Sequence, residues 1–287
     1  MSNLIQRLLL FFIGIPAIVA VVILLPQAHH GAAVLMILVF TGGAGVELAQ
    51  IFRDRGVRAR NSVMALLGFM PSVIAYVGAL TTHLSGYGPL AVLAVGSALL
   101  GLLVFAPFAF VRADDIPDVT SRAAARGFAL VYPGLLGAFV VLLACEPAWA
   151  TESILTFAGL TLGNDSLAWF FGMTFGRRRG IVAVSPNKSI AGFCGGMAGS
   201  VGLAFVARAL FPHAIACAWP AVVALGLTVG AAVIVGDLFE SALKRSAGTK
   251  DSGSAVPGRG GFLDSFDSIL FAAPVFYAAS LLLGLFR

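Results

Sequence analysis

Three long runs without a formally charged side chain, residues 8–25, 29–46 and 62–90, constrain this chain more than any other feature. A membrane-crossing helix needs roughly 20 mostly apolar residues. Backbone N–H and C=O groups must be satisfied internally in hydrocarbon, which leaves helices and closed barrels as the spanning structures. The alternating apolar/polar pattern of an outer-membrane barrel is absent. Composition agrees: 11% of the residues are charged and 59% are hydrophobic, whereas a soluble domain carries about 25% charge. The expectation is an all-α, polytopic transmembrane protein, one membrane-embedded domain over 1–287.

Nine spans fit, at about 4–25, 29–50, 62–81, 87–111, 127–145, 149–172, 189–210, 213–236 and 267–286. The first resembles a signal peptide, but its run is long and no small-residue cleavage site ends it, so it is read as a retained span. The connections after spans 2, 4, 6 and 8 hold Arg53, Arg55, Arg58 and Arg60; Arg112, Arg122 and Arg126; Arg177, Arg178, Arg179 and Lys188; and Lys244, Arg245, Lys250 and Arg259. Arg7 lies near the N-terminus, and the other connections carry only Arg208. The positive-inside rule then places the N-terminus and these four loops in the cytoplasm. The same rule accounts for the net +5 charge, so nucleic-acid binding is not implied. Cys145, Cys194 and Cys217 lack metal-ligand spacing and read as packing residues. His29, His30, His83 and His213 fall on outside connections.

The polar exception is the stretch 236–267. Of 18 basic and 13 acidic side chains, nine lie there: Asp237, Glu240, Lys244, Arg245, Lys250, Asp251, Arg259, Asp264 and Asp267. Six glycines and Pro257 accompany them. Carboxylates to hold a metal, cations to hold phosphates and glycines for close backbone approach are what nucleotide chemistry uses. Asp237, Ser241 and Lys244 or Arg245 share a helix face. Asp264 and Asp267 share another at the start of the last span. Asp237, Asp264 and Asp267 are the candidate ligands of a divalent ion such as Mg²⁺. The plainer alternative is a basic loop followed by acidic residues that cap the last helix.

Two earlier segments join this set. Asn164 and Asp165 lie near the cytoplasmic end of span 6, where a carboxylate in an apolar segment commonly faces a cavity. Ser185-Pro186-Asn187-Lys188-Ser189 reads as a turn, with Ser189 opening span 7. An ordinary helix cap with a positive-inside lysine explains that segment equally. Gly192, Gly195, Gly196 and Gly199 have the spacing of helix packing. No Walker A or zinc motif occurs.

The pattern Ser241-x-x-Lys244-Arg245, Lys250-Asp251-x-Gly253, then Pro257-x-x-Gly260-Gly261-Phe262-x-Asp264-x-Phe266-Asp267 resembles the C-terminal signature of phosphatidate cytidylyltransferases, or CDP-diacylglycerol synthases. Asn164-Asp165, Trp169, Gly172, Phe175-Gly176 and Ser185-Pro186-x-Lys188-Ser189 resemble that family too. The resemblance covers about residues 160–270. Arg259 stands where the family usually has His, Ser265 where it has Arg, and Val256 where it has a bulkier apolar residue. Its Trp-Glu-Gly segment is not matched at Ile190-Ala191-Gly192.

The resemblance implies a cytidylyl transfer from CTP to phosphatidic acid, with Mg²⁺, at the cytoplasmic face of the cell (inner) membrane, and a homodimer. By position it implies metal or catalytic roles for Asp237, Asp264 and Asp267. Lys244, Arg245 and Lys250 would bind phosphates, and Arg259 could restore the cation lost at Ser265. Ser185, Lys188 and Ser189 would line the substrate site, with Asn164, Asp165 and Ser241 beside it. A CTP-dependent lipid or polyprenol kinase, and a transporter of an anionic solute, are the alternatives.

Overall fold

A computed structural model describes residues 10–85, 88–146 and 148–285. The start of the first expected span, with Arg7, lies outside these residues. Ten α-helices follow one another: α1 (Ile15–Leu24), α2 (Gln27–Asp54), α3 (Asn61–Ser85), α4 (Pro89–Phe105), α5 (Val119–Ala129), α6 (Leu136–Ala144), α7 (Ala150–Phe175), α8 (Ile190–Leu210), α9 (Trp219–Ser246) and α10 (Phe262–Leu282). Among the described residues there is no strand, only two isolated bridges, Arg179 with Ser189 and Val256 with Gly260.

The chain is thus an all-α polytopic membrane protein. Seven segments among the described residues are long and apolar enough to cross a bilayer, and residues 12–24 form a shorter apolar helix. α7 is not one of the seven, although its 26 residues match the sixth expected span in position. Other boundaries move. The expected loop after span 4 is largely helical, with a 3-10 turn (Ala113–Asp118) leading into α5. That helix carries Arg122 and Arg126. The last helix starts at Phe262, five residues before the expected 267, because side chains described below satisfy its first N–H groups.

The chain divides into two compact units, residues 1–145 with 246–266, and residues 146–245 with 267–287. In the first, Ala44, Leu48, Leu67, Ala129, Ala138 and Val141 are fully buried. Regular geometry in α2 begins after a turn, since Ala28, His29 and His30 have φ of 51°, 50° and 54°. Left-handed conformations cost L-residues roughly 1–2 kcal/mol each. Tyr76 donates to Ala28 O at 2.6 Å and helps fix this turn. A π-helical turn at Leu130–Leu135 contains Pro133, whose missing N–H breaks the regular ladder.

In the second unit α7 lies along α8. Side chains of α7 fill the space over the α8 glycines: a Cβ on Gly195 would strike Phe171, and one on Gly199 would strike Leu167. The glycine series therefore serves close helix packing. Phe276 of α10 is fully buried and meets Phe157 of α7 at 5.3 Å between ring centroids. Phe239 and Phe271 bring α9 and α10 together at 5.1 Å.

Candidate functional site

The second unit gathers charge from three helices and one turn. The turn is closed by Lys188 N donating to Ser185 O at 3.1 Å and by Gly180 N donating to Pro186 O at 2.8 Å. Ser189 ends it in extended conformation and caps α8, its Oγ accepting from Gly192 N at 3.1 Å. With the backbone so held, Lys188 Nζ reaches across to Asp237 of α9 and forms an ion pair. The two side chains keep 23% and 35% of their exposure, so the pair is open to solvent or a ligand.

Asp237 is an electrostatic neighbour of Asp267 on α10, as are Asp165 on α7 and Lys244 on α9. Asp267 is buried, and its Oδ1 accepts from Ser268 N at 2.6 Å. Ser268 Oγ in turn donates to Asp165 Oδ2 at 3.1 Å. Three carboxylates, Asp165, Asp237 and Asp267, and two lysines thus share one electrostatic neighbourhood. Gly236 allows this approach. A Cβ there would press on the Asp267 carbonyl and Phe271.

Asp165 does not sit at a helix end. α7 continues to Phe175, ten residues further, or about 15 Å at 1.5 Å per residue. Its neighbour Asn164 is buried and donates from Nδ2 to Ser200 Oγ at 2.9 Å and Gly230 O at 3.5 Å. Asn164 therefore ties α7, α8 and α9 together. Ser241 is half-buried on α9, and Arg245 is exposed near its end. Lys244 pairs with Glu240, four residues back and fully buried. Sequence reasoning gave Glu240 no role.

Asp264, Lys250 and Arg259 belong to the first unit. Lys250 is exposed and Arg259 half-buried. Arg259 lies in a tight turn in which Val256 and Gly260 exchange backbone hydrogen bonds of 2.7 and 3.0 Å. Gly258 and Gly260 have φ of 78° and 109° there, values that favour glycine. Asp264 Oδ2 accepts from Gly261 N at 2.8 Å, Ser252 N at 2.8 Å and Ser252 Oγ at 2.9 Å. Its link to Gly261 N is the backward arm of a capping box, an acidic N3 residue serving the N-cap N–H.

The next two N–H groups of α10 go to a residue absent from the sequence-based site, Glu47 of α2. Phe262 N donates to its Oε1 and Leu263 N to its Oε2, each at 2.8 Å, and Ser252 Oγ lies 2.7 Å from Oε2. The α2 face carrying Glu47 is built for this contact. Phe40 stacks on Phe266 at 5.1 Å and meets the edge of Phe262 at 5.3 Å. A Cβ on Gly43 would overlap the Phe262 ring. The helix macrodipole favours carboxylates at this end. The available signal was a lone carboxylate just after the charge-free run 29–46; such a residue in a span is a functional candidate by default.

The fold and these charges define a polytopic helical membrane protein with a compensated cluster of carboxylates and lysines inside a four-helix unit. Residues 5–283 match the family described as the Cytidylyltransferase family, and the chain belongs to it. Among its relatives, a "Phosphatidate cytidylyltransferase" of Thermotoga maritima is 35% identical over 59% of this chain and 63% of its own. A protein of the same name from Bacillus subtilis is 37% identical over 49% of this chain and 47% of its own. Both matches span less than two thirds of the relative. One of the same name from Synechocystis is 29% identical over 95% of this chain and 94% of its own.

Proposed function

We propose that the protein is a phosphatidate cytidylyltransferase, which transfers the cytidylyl group of CTP to phosphatidic acid and releases pyrophosphate. The observation that carries this reading is the Lys188–Asp237 pair beside Asp165 and Asp267. It joins the two sequence segments that resemble the family's motifs, in a chain that belongs to the cytidylyltransferases. Full-length similarity to the Synechocystis protein supports the same activity.

A phosphatidate oxygen attacks the α-phosphorus of CTP. A new P–O bond forms, the bond from the α-phosphorus to the bridging oxygen breaks, and pyrophosphate leaves with its electron pair. The phosphate monoester is anionic near neutral pH, so the attack needs no strong general base. The chain's main task is then to compensate phosphate charge. Lys188 is suited to this, because an incoming phosphate can exchange with Asp237 for its ammonium. Lys244, held on α9 by Glu240, supplies a second cation. Arg245, Lys250 and Arg259 are assigned to phosphate binding by the resemblance, as Ser185, Ser189 and Ser241 are to the substrate site.

Mg²⁺ belongs to the proposal; the resemblance assigns it Asp237, Asp264 and Asp267, of which Asp237 and Asp267 lie in the second unit. Among the described residues no three His, Cys, Asp or Glu side chains form a ready-made cage. Mg²⁺ does not require one: it commonly takes one or two carboxylates and completes its shell with water and substrate phosphates. The neighbouring Asp237 and Asp267 fit that pattern as hard oxygen donors. When bound, the ion would stabilise charge on the phosphates.

The reading includes action at the cytoplasmic face of the inner membrane, with an N-terminus on that side, and a homodimer. The arginine-rich connections support the orientation. Purified full-length protein is incubated with CTP, phosphatidate and Mg²⁺, and the products are identified by mass spectrometry. CDP-diacylglycerol with pyrophosphate, lost in Asp267→Ala, is expected. Release of CDP with a newly phosphorylated lipid would make the protein a kinase, and counterflow of an unaltered solute in vesicles would make it a transporter.

A further inference from the structure

The cluster of basic side chains in the first unit lies outside everything assigned above. Arg58 and Arg60 follow α2, and Arg122 and Arg126 stand on α5. Together with Asp115 they line a cavity of about 260 Å³ whose apolar floor includes Val63 and Met64. A water molecule takes about 30 Å³ of liquid, so a phosphate group with a partial hydration shell fits.

Arginines that only set membrane orientation need no fixed geometry, but Arg58, Arg122 and Arg126 are held. Asp115 Oδ1 accepts from Arg58 Nη1 at 2.9 Å and faces Arg122 Nη1 at 3.6 Å. Arg58 Nε also meets Asp118 at 3.3 Å. The Arg126 guanidinium lies 4.4 Å from the Phe108 ring centroid and donates to Val104 O at 3.1 Å. Arg122 lies 5.7 Å from the same ring. Arg60 is exposed and enters no ion pair among the described residues. Four guanidinium groups therefore face two carboxylates. The excess positive charge is preorganised and presents forked donors of the kind that match phosphate oxygens.

The surroundings indicate where the anion comes from. Val104 belongs to α4, an apolar helix whose Leu99, Leu102 and Leu103 are 56%, 68% and 73% exposed. In a bilayer that face meets acyl chains. The cavity thus lies where a hydrocarbon-facing helix ends and arginines begin, the boundary at which lipid phosphates sit.

We propose that the Arg58–Arg60–Arg122–Arg126 cavity binds the phosphate group of an anionic phospholipid. The site does not depend on the reaction proposed above. Free pyrophosphate is the other source of the same chemistry. The test is native mass spectrometry of delipidated full-length protein titrated with phosphatidylglycerol, with zwitterionic phosphatidylcholine or with pyrophosphate. Phosphatidylglycerol is chosen because it is not the proposed substrate. The expected result is tighter first-lipid binding for phosphatidylglycerol than phosphatidylcholine. Arg60→Gln should weaken it by about tenfold, as for loss of one charged hydrogen bond, while Arg60→Lys retains most of it. Arg60 makes no fold-supporting ion pair among the described residues, so these variants test binding in folded protein. Arg60-dependent binding of pyrophosphate without a preference for phosphatidylglycerol would overturn the lipid assignment. Identical binding by wild type, Arg60→Gln and Arg60→Gln/Arg122→Gln would overturn the site altogether.

Discussion

Ser252 places its hydroxyl 2.7 Å from the carboxylate of Glu47, a residue 205 positions earlier in the chain. The same oxygen lies 2.9 Å from Asp264 Oδ2. A hydroxyl has one proton, so it donates to one carboxylate at a time. The backbone supplies the other donors: Phe262 and Leu263 to Glu47, Ser252 and Gly261 to Asp264. One compact network thus orders the glycine-rich loop and starts α10.

Replacing Glu47 should loosen that start. Glu47→Leu leaves two backbone donors without their acceptor and confines the Ser252 hydroxyl to Asp264, a loss on the order of 3 kcal/mol. Glu47→Gln keeps one carbonyl oxygen and should cost less, roughly 1–2 kcal/mol. Thermal unfolding of the purified variants should give the order wild type, Gln, Leu. A Leu variant as stable as wild type would remove Glu47 from the framework.

The Lys188–Asp237 pair should matter to turnover far more than to stability. Both partners are partly exposed, and after solvent screening such a pair contributes at most about 1 kcal/mol. Lys188→Met and Asp237→Asn should each lower CDP-diacylglycerol formation by about 100-fold or more, the scale for losing a preorganised charge contact. Melting temperatures should stay within a few degrees. Rates near wild type would place the chemistry elsewhere.

The two charge networks were not equally legible in the sequence. Spans announce themselves because hydrocarbon demands long apolar runs. Lys188 and Asp237 stood out because each breaks such a pattern beside glycines or a Ser-Pro turn, though their pairing across 49 residues needs the fold. Glu47 stays hidden because no motif surrounds it, and its contact with Phe262 N spans 215 residues that only the fold brings together. Asp264 shows a different limit: its place three residues before Asp267 suits a metal ligand and a capping residue alike. Only the Gly261 and Ser252 contacts reveal its capping work. Asn164 likewise read as a partner of Asp165, whereas adjacent helix positions point in different directions.

Asn164 supplies a third test. Its amide reaches Ser200 on α8 at 2.9 Å, and Ser200 Oγ donates to Leu160 O at 3.2 Å. Polar ties between membrane helices contribute modestly, because the unfolded chain in the bilayer also finds partners. A double-mutant cycle with Asn164→Ala and Ser200→Ala should give a coupling of about 0.5–1.5 kcal/mol. The readout is unfolding in mixed micelles. A coupling of zero would mean that glycine packing alone joins α7 and α8.

Glu146, between the fifth and sixth expected spans, gives the fold a pH dependence of predictable sign. It is half-buried, and burial raises its pKa above the ordinary carboxylate value. A carboxyl whose pKa is raised by folding contributes stability while protonated. That contribution is fully present below the unfolded pKa of about 4.3 and is lost as pH rises through the folded value. Tyr277 feels the same charge. Glu146→Gln keeps the shape and removes the ionisation. Its melting temperature should match wild type in the acid range, exceed it as the wild-type carboxyl ionises, and keep a constant advantage at higher pH. A variant less stable than wild type near neutral pH would instead show that ionised Glu146 makes a favourable contact.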